Sequence, residues 1–78
     1  MRVFYYAETD SLYIELREEP GVDSVEVAPG IVVDLNAQGD VVGIDIDRAR
    51  ERLSLERLEV HDLPLKVLVA QAGEEPVR

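Results

Sequence analysis

Residues 30–46 read GIVVDLNAQGDVVGIDI, and this stretch decides the fold. Apolar residues recur at every second position on both sides of a polar break at 36–40, a pattern typical of two half-buried antiparallel strands. Gly39 can adopt the positive φ that a tight turn between the strands needs. The sequence therefore predicts a β-hairpin that closes over residues 37–40.

The register of this hairpin follows from burial, because residues directly opposite each other share a face of the sheet. The predicted pairs are Ile31 with Ile46, Val33 with Ile44, and Leu35 with Val42. This register places Gly43 opposite Asp34 on the other face. A glycine inside a strand indicates a β-bulge or a close approach by another group. We expect a bulge, with a close approach as the alternative.

Composition limits the chain to one small domain, residues 1–78. The absence of Cys excludes disulfides, thiolate zinc sites and Cys nucleophiles. A net charge of −9 disfavours nucleic acid and anionic membranes as partners, and favours solubility or a basic protein partner. We expect a cytoplasmic protein of a bacterium or archaeon, since residues 1–10 lack the apolar core of a secretion signal. The near absence of Lys, Asn and Met fits a thermophile or a GC-rich genome.

The predicted fold class is α+β: an antiparallel β-meander of about five strands followed by a helix. Strands are expected at 2–6, 11–16 and 24–27, ahead of the hairpin, and Asp47 is expected to cap a helix that runs to Leu53. Residues 65–69 alternate enough for a final edge strand, and a C-terminal helix is the alternative. We divide the domain into a β-meander with the start of the helix (3–50), a C-terminal extension (51–72) and a frayed tail (73–78).

The predicted sheet has two different faces. The first face is apolar and forms the core; its members are Val3, Tyr5, Leu12, Ile14, Leu16, Val25, Val27, Ile31, Val33, Leu35, Val42, Ile44 and Ile46. The second face mixes apolar and aromatic residues (Phe4, Tyr6, Tyr13, Val32 and Val41) with the carboxylates of Glu15, Glu26, Asp34 and Asp45. An exposed apolar strip indicates a partner or a covering segment. We therefore take Phe4, Tyr6, Tyr13, Val32 and Val41 as candidates for a partner or dimer interface, and residues 65–69 folding over them as the alternative.

Three blocks of the sequence carry a resemblance to a known family. They are YAETDSLYI at 6–14, PGIVVD at 29–34 and GDVVGIDI at 39–46. In order and spacing these blocks resemble the family of domains of unknown function numbered 2283. The resemblance implies a small bacterial or archaeal β domain with a C-terminal helix and no established activity. It also implies an antitoxin role against small RNase-like toxins for some members, and it brings no catalytic residues.

Few residues point to catalysis or to a metal. Asp34 and Asp45 could hold a hard cation or act as an acid/base pair, but cation sites usually have more closely spaced ligands, so we interpret these carboxylates as part of a solvated acidic face. His61 is the only histidine. Metal sites need two or three such ligands and nucleophilic catalysis needs a placed base, so we interpret His61 as a surface residue. No catalytic residue and no cofactor is predicted.

These observations favour a non-enzymatic protein-binding module, antitoxin-like towards a basic partner in its most specific form. Two alternatives are a homodimeric structural protein joined through the second face, and a small metal-binding or hydrolytic protein that uses Asp34 and Asp45. Neither nucleic acid nor a membrane is an expected partner.

Overall fold

The computed structural model describes residues 1–73, and the fold is a five-stranded antiparallel sheet with one short helix. The elements in chain order are β1 (Arg2–Tyr6), β2 (Ser11–Glu15), β3 (Asp23–Ala28), β4 (Ile31–Leu35), β5 (Val41–Ile46) and α1 (Ala49–Arg52). The sheet dominates, so the described part of the chain is mostly β. None of the helices in residues 1–73 is both long enough and apolar enough to cross a membrane.

The strand order is β1-β2-β5-β4-β3, so the predicted simple meander is wrong. The loop after β2 carries the chain to the far edge of the sheet, and the chain then returns through two hairpins until β5 pairs with β2. β5 lies at the centre, between β2 and β4, and it carries the buried side chains of Val42 and Ile46.

The predicted register is correct except at one pair. Ile31 pairs with Ile46 and Val33 with Ile44. In the first hairpin Val3 pairs with Ile14 and Tyr5 with Leu12, the register that puts all four on the first face as predicted. The exception is Leu35, which pairs with Val41 instead of Val42 because the register shifts after Asp34. This irregularity is the bulge that Gly43 indicated, and it leaves Val42 almost fully buried.

The turn between β4 and β5 is built by Asn36, which is itself buried. Its side-chain oxygen accepts hydrogen bonds from the amides of Gln38 and Asp40 at 3.0 and 2.9 Å. Gly39 has a φ of 85°, as predicted. An Asn side chain that satisfies turn amides in this way holds the two central strands in register.

The core is small and lies on the first face under α1. Leu12, Ile46 and Ala49 form its buried cluster, with Leu53 packed against them. The helix has four residues and ends before Leu53, shorter than predicted. Asp47 does not cap it and instead accepts a weak hydrogen bond from Ser11 Oγ at 3.3 Å.

Asp10, in the turn between β1 and β2, satisfies the start of the helix. Its carbonyl accepts a hydrogen bond from the Ala49 amide at 2.9 Å, and its carboxylate accepts one from the Arg50 amide at 3.2 Å. The same carboxylate also accepts a hydrogen bond from Tyr5 Oη at 2.8 Å. One residue thus ties the first hairpin to α1, a link that sequence spacing did not suggest.

Residues 54–73 form neither a helix nor a strand, so the predicted edge strand at 65–69 and the alternative helix are both wrong. The reason lies at Pro64, which has no N–H to donate to a sheet. The amide of Leu65 donates to the carbonyl of Leu63 at 2.7 Å, which closes a tight three-residue turn around Pro64. Of the predicted frayed tail, 74–78 lie outside the described residues.

We predict that Asp10→Ala lowers the free energy of unfolding by about 1–2 kcal/mol, because it leaves the first turn of α1 without its side-chain acceptor. Asp47→Ala should change stability by less than about 0.5 kcal/mol, as expected for a residue that is not the cap. Urea denaturation followed by circular dichroism measures both. A larger loss for Asp47→Ala than for Asp10→Ala would contradict this assignment.

Candidate functional site

The structure brings most of the predicted interface residues onto the second face. Phe4 pairs with Tyr13, Tyr13 with Asp45, and Asp45 with Val32, so one row crosses four strands on the same side of the sheet. Tyr6 lies on this side too, two residues along β1 from Phe4. No helix or strand within residues 1–73 packs over this row.

Val41 has a different position from the other candidates. The bulge pairs it with Leu35, a first-face residue, and takes it out of step with Val32. It stays 39% exposed at the end of β5. Sequence alternation could not place Val41 correctly, because one extra residue in a strand reverses the parity beyond it.

The side chain of Tyr13, on β2, extends across the neighbouring strand β5. Its ring covers Gly43, and a Cβ built at Gly43 would overlap the Tyr13 hydroxyl group. The hydroxyl donates a hydrogen bond to Asp34 Oδ2 at 3.0 Å, and Ser24 Oγ donates to Asp34 Oδ1 at 2.8 Å. Gly43 therefore marks a close approach as well as the neighbouring bulge, and polar contacts join β2, β4 and β3 across the glycine of β5.

Aromatic and charged groups meet at the β1 edge of the second face. The rings of Phe4 and Tyr6 stack with centroids 6.4 Å apart, and the guanidinium of Arg2 lies 5.3 Å from the centre of the Phe4 ring. Arg2 also donates two hydrogen bonds to Glu15, at 2.8 and 2.9 Å. This hydrogen bonding lowers the pKa of Glu15, and the reciprocal bonds raise the pKa of Arg2.

The middle of the second face carries excess negative charge. Burial raises the pKa of Asp45, and the nearby carboxylates of Asp47 and Asp34 raise it further. Burial also raises the pKa of Tyr13, followed by its hydrogen bond to Asp34. A cation brought to this region would relieve the repulsion between the carboxylates.

Asp34 and Asp45, the two candidate metal ligands, differ in their surroundings. Both oxygens of Asp34 already accept hydrogen bonds, from Tyr13 and Ser24. In residues 1–73 no three His, Cys, Asp or Glu side chains are grouped so that they could hold a metal ion. His61 has a 74% exposed side chain in the segment without helix or strand, where Glu59 contacts its Nε2 atom at 3.0 Å. This agrees with its interpretation as a surface residue.

A family model matches residues 2–50, which contain the whole sheet and the start of α1. The model is described as "Protein of unknown function (DUF2283)". The chain belongs to the DUF2283 family. No curated protein and no solved structure matches the chain. The DUF2283 match confirms the resemblance that the three sequence blocks indicated. It ends before the apolar segment 54–73, so the sheet is the family's part of this chain.

Two contacts on the second face of the DUF2283 sheet were missed by sequence reasoning. Ser24 was expected only as part of a strand, yet it pairs with Asp34 and donates to its carboxylate. The register of β3 shifts between Glu26 and Ala28, so counting back from the turn at Gly30 could not have placed it. Arg2 could have been found, because the correctly predicted hairpin register puts it opposite Glu15.

We predict that Gly43→Ala destabilises the protein by about 1–3 kcal/mol, because the new methyl group must displace the Tyr13 ring. In the background of Tyr13→Ala the same substitution should cost about 1 kcal/mol less, since the ring is gone. The four proteins of this double-mutant cycle are compared by urea denaturation. Strictly additive effects would show that Tyr13 does not cover Gly43.

We predict that Asp45→Asn raises the melting temperature near neutral pH. The raised pKa of Asp45 means that the folded state binds a proton more readily than the unfolded state, so its contribution to stability is lost as pH rises above the ordinary value of 3.8. The gain should vanish at about pH 3, where the carboxyl is protonated in both states. Glu8→Gln, which removes the same charge from an exposed turn, is the control. A melting temperature equal to or below wild type near pH 7 would contradict the argument.

Proposed function

We propose that the chain is a non-enzymatic module that binds a basic protein through the second face of its sheet. The observation that carries this proposal is the position of the stacked pair Phe4 and Tyr6 beside crowded carboxylates, on a sheet face that no helix or strand of residues 1–73 covers. Apolar rings next to unrelieved negative charge suit the side chains of Arg and Lys.

The aromatic residues would supply the anchor. Tyr6 is 52% exposed and stacks on Phe4, which fixes the orientation of its ring before any partner arrives. Rigid aromatic side chains lose little conformational entropy on binding and are frequent among residues that dominate binding energy. The contact of Arg2 with the Phe4 ring at 5.3 Å is a cation–π geometry that an arginine of the partner could repeat on Tyr6.

The carboxylates would supply attraction and orientation. A chain with a net charge of −9 attracts a basic protein at long range, which increases the association rate at low ionic strength. At short range, burial disfavours the charged form of Asp45, and the neighbouring carboxylates of Asp47 and Asp34 disfavour it further. A partner cation placed there would offset the repulsion between these carboxylates and so favour the complex.

In this proposal the polar groups of the second face have a structural role. Tyr13 and Ser24 both donate hydrogen bonds to Asp34, and these contacts link β2 and β3 to β4. The raised pKa of Tyr13 makes its hydroxyl a weaker acid. We therefore assign these three residues to holding the surface in shape.

Neutralisation of a small basic toxin is the most specific form of the proposal. It is supported by the acidic charge of the chain and by what the family resemblance implies for some members. A cytoplasmic location belongs to the same proposal.

The test is affinity capture from lysate at low salt, followed by titration of the purified partner. We expect a small basic protein in near-stoichiometric amount. Tyr6→Ala should weaken its binding at least about tenfold, as for a residue that dominates binding. Asp45→Asn should slow association and reduce its salt dependence. Tyr6 is preferred to Tyr13 as the probe because Tyr13 also holds Asp34.

Glu8→Gln is the matched control, since it removes one charge from the turn after β1 and should bind like wild type. Capture that Tyr6→Ala and Asp45→Asn leave unchanged, or a partner that is acidic, would refute the proposal. Equal losses for Glu8→Gln and Asp45→Asn would mean that net charge acts without a specific surface.

A further inference from the structure

The first face of the sheet is apolar but incompletely covered. The short helix buries Leu12 and Ile46 at one end, and Ile14, Ile31 and Ile44 pack against this cluster but stay only partly buried. Towards the sheet edges Val3 remains 54% exposed and Val25 43%. Side chains of this kind face a core in a stable sheet, so a layer of protein is missing here.

The apolar segment 54–73 does not supply that layer within one chain. Its large apolar side chains are between 40% and 86% exposed: Leu55, Leu58, Val60, Leu63, Leu65, Val67, Leu68 and Val69. Between the start of this segment and the sheet lies a groove of about 1240 Å³, with Val3, Leu12 and Ile14 on the sheet side and Leu53, Leu55 and Leu58 on the other. Charged side chains of both signs also line it: Arg50, Glu51, Arg52, Glu56 and Arg57. A partly apolar groove therefore lies beside apolar side chains that remain exposed within one chain.

The accessible surface of the chain indicates how much area a covering layer would bury. The accessible surface is 6761 Å², whereas a compact protein of 8.7 kDa exposes about 4,700 Å². The radius of gyration, 13.9 Å, likewise exceeds the roughly 11.5 Å of a compact chain of this length. The excess of about 2,000 Å² per chain would give about 4,000 Å² in a dimer, within the range of obligate homodimer interfaces.

The distribution of charge over the two faces favours a second copy of the chain as the partner of the first face. Among the paired strand residues, Asp23 is the one carboxylate on the first face, whereas the second face carries Glu15, Glu26, Asp34 and Asp45 against Arg2 alone. The charged side chains of the groove beside the first face are of both signs. Two copies, each with a charge of −9, can approach most closely where their surfaces carry the least net negative charge. Each copy also offers both an apolar face and an apolar segment, so two copies related by a two-fold axis can cover each other reciprocally.

We infer that the first face binds a second copy of this chain, with residues 55–69 of the two copies packed between the opposed sheets. The interface is on the side opposite to the one expected for a homodimer from the sequence. It leaves the second face free on the outside of the dimer, so the dimer and the proposed partner binding are independent of each other.

The test compares two substitutions on the same strand and of similar exposure. Val3→Glu places a charge on the first face and Tyr6→Glu places one on the second; the wild-type residues are 54% and 52% exposed. Sedimentation equilibrium should give wild type and Tyr6→Glu twice the chain mass of 8.7 kDa. Val3→Glu should weaken the dimer at least about tenfold. Leu65→Glu, in the apolar segment, should do the same.

A second measurement covers the case in which Val3→Glu does not fold. The melting temperature of a wild-type dimer should rise with protein concentration over about a hundredfold range, because association stabilises the folded state. A wild-type monomer at about 100 μM with a concentration-independent melting temperature would overturn the inference, whether the groove is then filled by the chain's own segment or by another protein. Dissociation by Tyr6→Glu with Val3→Glu still dimeric would place the interface on the second face.

Discussion

The contact on which the second face depends is that of the Tyr13 ring with the backbone of Gly43. Only glycine lets a ring lie flat across a central strand, and only then does the hydroxyl reach Asp34 two strands away. Asp34 in turn holds Ser24 on the edge strand. A single missing Cβ therefore allows a side chain of β2 to join β4 and β3, and it turns the middle of the sheet into an ordered polar surface.

The two faces of the sheet present opposite physical problems. The second face holds several carboxylates close together, and burial, together with the neighbouring Asp47 and Asp34, raises the pKa of Asp45. The first face has more apolar area than one four-residue helix can cover. The molecule is only 18 Å across its shortest dimension, so a second layer is incomplete. A bound protein can stabilise both faces, by opposite charge at the carboxylates of the second face and by packing against the apolar side chains of the first.

Membership of the DUF2283 family extends over the sheet and stops at the start of the helix. The sheet, with its Tyr13–Gly43 contact and its Asn36 turn, lies inside the matched residues; the apolar segment 54–73 lies outside them. This division matches the physical one. The matched part is held by ladders and a small core, whereas the remainder has mainly local contacts, such as those of Glu59 with Arg57 and His61.

The sequence by itself determined the five strands of the sheet, the register of the first hairpin, the register of the second as far as Asp34, and the turn at Gly39, because alternation and turn chemistry act over a few neighbouring residues. It also indicated a bulge or a close approach at Gly43. Only the tertiary structure showed that both occur there. The tertiary structure also decided the central position of β5, the capping of α1 by Asp10 and the displacement of Val41 by the bulge. Each of these depends on which distant strands become neighbours, and a short chain with five strands can satisfy the same local pattern in more than one order.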